Sequence, residues 1–113
     1  MRRHLLSLSF VLAVAGCTST SLEERACRQI RETADCTWDG DSEEALMACI
    51  EGFEALAAEN EAIGCGAEFD ALLECYGRTS YRCSGENFPG CRAESDAWLA
   101  CCSADGMTCP SSE

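Results

Sequence analysis

The sequence predicts an all-α fold: a small disulfide-stapled bundle of about four helices spanning 22–34, 42–62, 66–77 and 91–103. Three observations carry that expectation. Eleven Cys in 113 residues is the usage of a disulfide scaffold in an oxidising compartment. Apolar residues recur at helical spacing and not in strand alternation. Part of the second half also repeats after 26 residues, as stacked helical units do.

Thr18 to Ser21 form a short polar tether, and Ser21 with Glu24 has capping-box spacing. Leu22, Ala26, Ile30 and Ala34 then recur on a four-residue stride, which gives the first helix. Asp35 to Asp41 read as a turn containing Gly40, and Asp41 with Glu44 offers a second capping pair. Leu46, Cys49, Ile50, Phe53, Leu56 and Ala57 line one stripe of the second helix, opposite a face of Glu43, Glu44, Glu51, Glu54, Glu59 and Glu61. Gly64 ends it. Cys65–Cys83 aligns without a gap on Cys91–Cys109, with eight of nineteen positions identical, five of them not Cys. A partial third copy places Glu44–Cys49 on Asp70–Cys75. The third and fourth helices follow, each with acids in its first turn, which the helix dipole favours. Gly77, Gly85, Pro89 and Gly90 mark the connection between them.

Cys65 and Cys75 are ten residues apart, as are Cys91 and Cys101. Ten helical residues rise about 15 Å and turn the two positions about 80° apart. A disulfide needs Cα atoms about 4.4–6.8 Å apart, so neither pair closes within its own helix. If the helices lie antiparallel, Cys65 faces Cys101 and Cys75 faces Cys91. The same layout across the first turn sets Cys27 opposite Cys49. Cys36, Cys83, Cys102 and Cys109 remain, and the expectation is Cys83–Cys109 and Cys36–Cys102. The segment Cys65–Cys101 resembles the twin Cys-x₉-Cys hairpins of coiled-coil-helix proteins of the mitochondrial intermembrane space. That resemblance implies the hairpin geometry and nothing of that family's biology.

At the N-terminus, a basic Met1–His4 precedes twelve uncharged, mostly apolar residues, Leu5–Gly16. Twelve are too few for a membrane-spanning helix, which needs about 20. The pattern is that of an export signal over 1–16. Val14-Ala15-Gly16-Cys17 resembles the lipobox of bacterial lipoproteins. The resemblance implies cleavage between Gly16 and Cys17, acylation of the Cys17 thiol and, with Thr18 following, sorting to the outer membrane of a Gram-negative envelope. An ordinary secretory signal is the alternative, but it leaves an odd cysteine unexplained. The expected organisation is therefore a signal at 1–16, a lipidated Cys and tether at 17–21, and one Cys-rich domain at 22–113.

Removal of the signal leaves six Arg, no Lys, no His and twenty acids, a net charge near −14. A nucleic-acid partner is electrostatically excluded, whereas a cationic partner is favoured. No Cys-x₂-Cys, Gly-x-Ser-x-Gly or His-based motif occurs, so neither a metal, a cofactor nor a catalytic site is expected. Asp35, Asp39, Gly40 and Asp41 fail the calcium-loop pattern, because Leu46 stands where a bidentate Glu is required. The expected function is that of a membrane-anchored, non-enzymatic binding module. The alternatives are an inhibitor presenting loop 81–90, with Tyr81 and Phe88, or a redox protein using a vicinal Cys101–Cys102 bridge. Trp38, Tyr81 and Phe88 lie in loops, and read either as a recognition patch or as plugs over the core.

Overall fold

The computed structural model describes residues 20–36, 42–106 and 108–110. The expected export signal at 1–16, Cys17, Trp38 and the expected turn at 39–41 lie outside these. Within them the fold is all-α, built from α1 (Leu22–Thr33), α2 (Glu43–Ala62), α3 (Gly66–Tyr76) and α4 (Arg92–Cys102), with 3₁₀ turns at Pro89–Cys91 and Ala104–Gly106. Each helix lies within a residue or so of its expected bounds.

The helix ends explain those bounds. Ser21 Oγ accepts from the Glu24 N–H at 3.0 Å and opens α1. The N-cap of α2 is Ser42, which accepts from the Ala45 N–H at 3.1 Å. The expected Asp41–Glu44 pair is therefore displaced by one residue; Ser42 holds the extended backbone of an N-cap and its hydroxyl reaches the third helical N–H. At the far end of α2 the chain reverses through Gly64, whose φ of +83° is open to glycine at no steric cost. The Cys65 N–H then closes the turn on the Asn60 carbonyl at 2.8 Å.

The 26-residue repeat is also a repeat of structure. α3 and α4 are each 11 residues long, and their bounds differ by that same offset. Their N-cap cysteines share one backbone conformation, φ −112° and ψ 23° at Cys65 against −114° and 23° at Cys91. Burial breaks the symmetry. α3 packs against α1, α2 and α4, and buries Phe69, Leu72, Leu73 and Cys75. α4 lies at the edge, against α3, and among its residues only Cys102 is fully buried. Leu73 is 0% exposed, whereas its repeat partner Leu99 is 44% exposed.

The core is Ala26 from α1, Leu56 from α2, the buried face of α3, and Cys91. Leu22, Phe53, Ala57, Tyr76, Phe88 and Trp98 close over it. Among the described residues one polar side chain is fully buried. Asn60 Nδ2 donates to the Leu56 carbonyl at 2.8 Å, and Asn60 Oδ1 accepts from Trp98 Nε1 at 2.7 Å. This satisfies an amide that would otherwise be costly in the interior, and ties the edge helix α4 to α2.

Five disulfides staple the fold. Cys27–Cys49 joins α1 to α2, while Cys65–Cys101 and Cys75–Cys91 clamp the α3–α4 hairpin at both ends, with Cα separations of 5.9–6.0 Å. These are the three pairs that helical spacing sets opposite each other. The other four cysteines are joined differently from expectation. Cys36 bonds to Cys83, not Cys102, and Cys109 bonds to Cys102, not Cys83. The reason lies in the path of the α3–α4 connection, which runs alongside α1. Gln29 Nε2 donates to the Thr79 carbonyl at 3.3 Å, the Tyr81 N–H to Thr33 Oγ1 at 2.9 Å, and the Cys83 N–H to Asp35 Oδ1 at 2.9 Å. Cys83 is thereby delivered to Cys36, and the tail returns seven residues to reach Cys102.

Candidate functional site

Every cysteine of the described residues is in a bridge. The vicinal pair does not bond to itself: Cys101 reaches Cys65 and Cys102 reaches Cys109. The redox alternative thus loses the group it was built on. Two clusters place sulfur and carboxylate within ligand distance, Asp35 with Cys36 and Cys83, and Glu68 with Cys65 and Cys101. In both, the two sulfurs are bonded to each other and are not the thiolates that metals require.

Loop 81–90 turns its aromatic residues inward. Phe88 stacks on Tyr76 with centroids 3.8 Å apart and planes 19° from parallel, and Tyr81 meets Phe88 edge-on at 5.1 Å. The Arg82 N–H donates to the Asn87 carbonyl, and Asn87 Nδ2 donates back to the Arg82 carbonyl. Tyr81 and Phe88 are therefore plugs over the core and not a projecting patch. A polar hollow of about 240 Å³ lies beside them, lined by Tyr76, Glu86, Asn87, Phe88, Arg92 and Ser95 among others. Burial pushes the Tyr76 hydroxyl above its usual pKa of 10.0.

The feature with the clearest capacity to bind lies on the α3–α4 hairpin. An open trough of about 310 Å³ runs between the two helices, lined by Ala67, Glu68 and Ala71 from α3 and by Ala93, Glu94 and Ala97 from α4. The two sets occupy equivalent positions in the repeat. Three of the five identities other than Cys between the copies thus line this one depression. All four alanines are exposed, so α3–α4 packing does not account for their small size. Its exposed lining is mostly apolar, and each helix contributes one carboxylate, Glu68 and Glu94, both less exposed than the alanines.

Charge is unevenly placed around this face. α2 and α3 carry nine acids and no cation, and α4 has Arg92 alone, against Glu94 and Asp96. Arg92 is itself spent on Glu86 at 2.7 Å. The remaining described cations belong to α1, where Arg28 pairs with Glu24 and Arg31 lies 3.5 Å from Glu43, and to the connection after α3, with Arg78 and Arg82. Sequence reasoning missed the trough. Its signal, alanines repeating on the outward face of two helices, was visible in the alignment of the copies, but the face they share emerges only from the hairpin register. Among the described residues no helix is long and apolar enough to cross a membrane. Comparison of the chain with protein-family models, curated proteins and solved structures returns no match.

Proposed function

We propose that this protein is an exported lipoprotein, acylated at Cys17 and anchored at the outer membrane of a Gram-negative envelope, whose helical domain is a non-enzymatic binding module. The observation that carries the reading is the cysteine arithmetic. Ten cysteines pair among themselves, and the eleventh is the one at the lipobox-like Val14-Ala15-Gly16-Cys17. Acylation gives that cysteine a use that disulfide formation does not. Two or three acyl chains, at about 0.8 kcal/mol per buried CH₂, hold a protein at a bilayer for long periods. The four-residue tether reaches at most about 14 Å, so the domain rides close to the surface.

Binding is favoured over catalysis by what the domain offers. It has no Lys, and the only His is His4, so the usual bases and nucleophile partners are missing. What it presents is a rigid cross-linked scaffold with an apolar trough in an acidic surface. The test is the intact mass of protein purified from membranes, before and after reduction. The expected species starts at Cys17, carries the mass of its acyl chains, and gains ten hydrogens on reduction of five bridges. A chain cut elsewhere, or one with no added lipid mass, refutes the anchor.

A further inference from the structure

We propose that the Cys36–Cys83 bridge is a thiol-operated latch between two helical hairpins. A dithiol opens it ahead of the other four bridges, and its opening frees one hairpin to move against the other. The inference goes beyond the binding-module reading and does not depend on it.

The pattern of the bridges is the first observation. Cys27–Cys49 closes the α1–α2 hairpin upon itself, Cys65–Cys101 and Cys75–Cys91 close α3–α4, and Cys102–Cys109 ties the tail to the end of α4. Among the described residues, Cys36–Cys83 is the one bridge that crosses from the first hairpin to the second. Without it the hairpins share only the backbone at 63–65 and noncovalent contacts. That backbone link carries Gly64 at φ +83°, with nothing within 4 Å of where a Cβ would stand, which is the room a hinge needs. The noncovalent contacts are the core, the Asn60–Trp98 hydrogen bond, and the bonds of Gln29, Thr33 and Asp35 to the α3–α4 connection. Each hairpin keeps its own clamp when the latch is open, so the freed unit is a hairpin and not a melted chain.

Exposure is the second observation. Among the ten bridged cysteines of the described residues, Cys36 alone is exposed, and its partner Cys83 is half-buried. Cys27, Cys65, Cys75, Cys91 and Cys102 are at most 3% exposed, so each of the other four bridges has at least one cysteine sealed in the interior. Thiol–disulfide exchange begins with attack of a thiolate on one sulfur, and its rate follows access. At Cys36 the incoming thiolate bonds to Sγ, the S–S bond breaks, and its electron pair leaves on the Cys83 sulfur, which takes up a proton. The second thiol of the dithiol then attacks the mixed disulfide. Cys36 is released as a thiol, and the reductant leaves as a disulfide, oxidised by two electrons. The Asp35 carboxylate, within 4.8 Å of both sulfurs, opposes the first approach by its charge.

The test uses the full oxidised protein with any free thiol blocked first. Samples taken during exposure to dithiothreitol are alkylated and mapped by mass. The first product should carry two labels, on Cys36 and Cys83, and form about tenfold faster than a product opened at any other bridge. Far-ultraviolet circular dichroism of that product should retain the helices. Hydrogen exchange of the Leu22–Thr33 amides should rise about tenfold, as the first hairpin moves off the second. The Cys65–Cys101 and Cys75–Cys91 bridges should meanwhile keep their resistance to reduction within about threefold, whereas general destabilisation would loosen all of them together. The Cys36→Ser with Cys83→Ser protein should behave like the two-label product. Asp35→Asn should speed the opening of the latch about twofold. A first opening at another bridge, or passage to ten thiols without the two-label product, overturns the proposal. So does unchanged exchange in α1, a parallel loosening of the remaining bridges, or no acceleration by Asp35→Asn. The thiol block makes the readout the same whether or not Cys17 is acylated, so failure here leaves the anchor test standing, and failure of the anchor leaves this one.

Discussion

Replacing either partner of the Asn60–Trp98 hydrogen bond should destabilise the protein, and replacing both should cost less than the sum. Asn60 is wholly buried; its two side-chain bonds, at 2.8 and 2.7 Å, go to the Leu56 carbonyl and to the indole of Trp98. Asn60→Leu keeps the branching of the side chain, though Leu is the larger residue, and leaves the Trp98 N–H without its acceptor. That N–H points at the fully buried Asn60, so the orphaned donor should cost about 1–3 kcal/mol. Trp98→Phe strands the Asn60 oxygen in a dry interior, where an orphaned polar group costs about 1–3 kcal/mol. It also trims the ring that packs on Phe69 at a centroid distance of 5.9 Å. The double variant has neither orphan, so the coupling should be about 1–2 kcal/mol in its favour. Guanidinium unfolding of the oxidised protein, followed by far-ultraviolet circular dichroism, measures all four corners of the cycle. Additivity within about 0.5 kcal/mol would mean that the bond contributes nothing specific.

The repeat supplies a paired test. Leu73→Ala should cost about 2–5 kcal/mol, whereas Leu99→Ala, at the equivalent exposed position, should stay within about 0.5 kcal/mol; equal losses would mean that α4 is buried after all. Tyr76 predicts a pH dependence. Its folded pKa is raised by burial, so nothing is lost below the unfolded value of about 10, and stability falls as pH rises above it because only the unfolded chain releases the proton freely. Tyr76→Phe should flatten the decline between pH 10 and 11, and an unchanged slope would show that another group governs it. Proteolysis without reduction should yield a Cys36–Cys83 peptide pair and a Cys102–Cys109 loop; Cys83–Cys109 or Cys36–Cys102 peptides would contradict the fold. In the chain-entropy description the Cys36–Cys83 bridge, with a separation of 47, contributes about 4 kcal/mol, and Cys102–Cys109, with a separation of 7, about 2.4 kcal/mol. Paired Cys→Ser variants should therefore rank in that order in guanidinium.

Periodicity and cysteine spacing by themselves determined the helical class, the bounds of four helices to within a residue or so, and three bridges. This follows because a helix is a rigid ruler: ten residues along it place two sulfurs where only a neighbouring antiparallel helix can meet them. The repeat likewise predicted two matching helices. Tertiary structure decided the rest. It chose which copy went inside, since α3 has neighbours on three sides and α4 on few, so the same leucine is core in one and surface in the other. It also chose the partners of Cys36, Cys83, Cys102 and Cys109, of which Cys102 is the last residue of α4 and the other three sit outside the helices. Their positions depend on Gln29, Thr33 and Asp35 holding the backbone of the α3–α4 connection against α1, and side-chain-to-backbone bonds between segments some fifty residues apart leave no periodic trace in a sequence. The trough belongs to both levels. Its alanines and glutamates are written in the repeat, but only the antiparallel register, locked by sulfur at each end, turns two outward stripes into one groove.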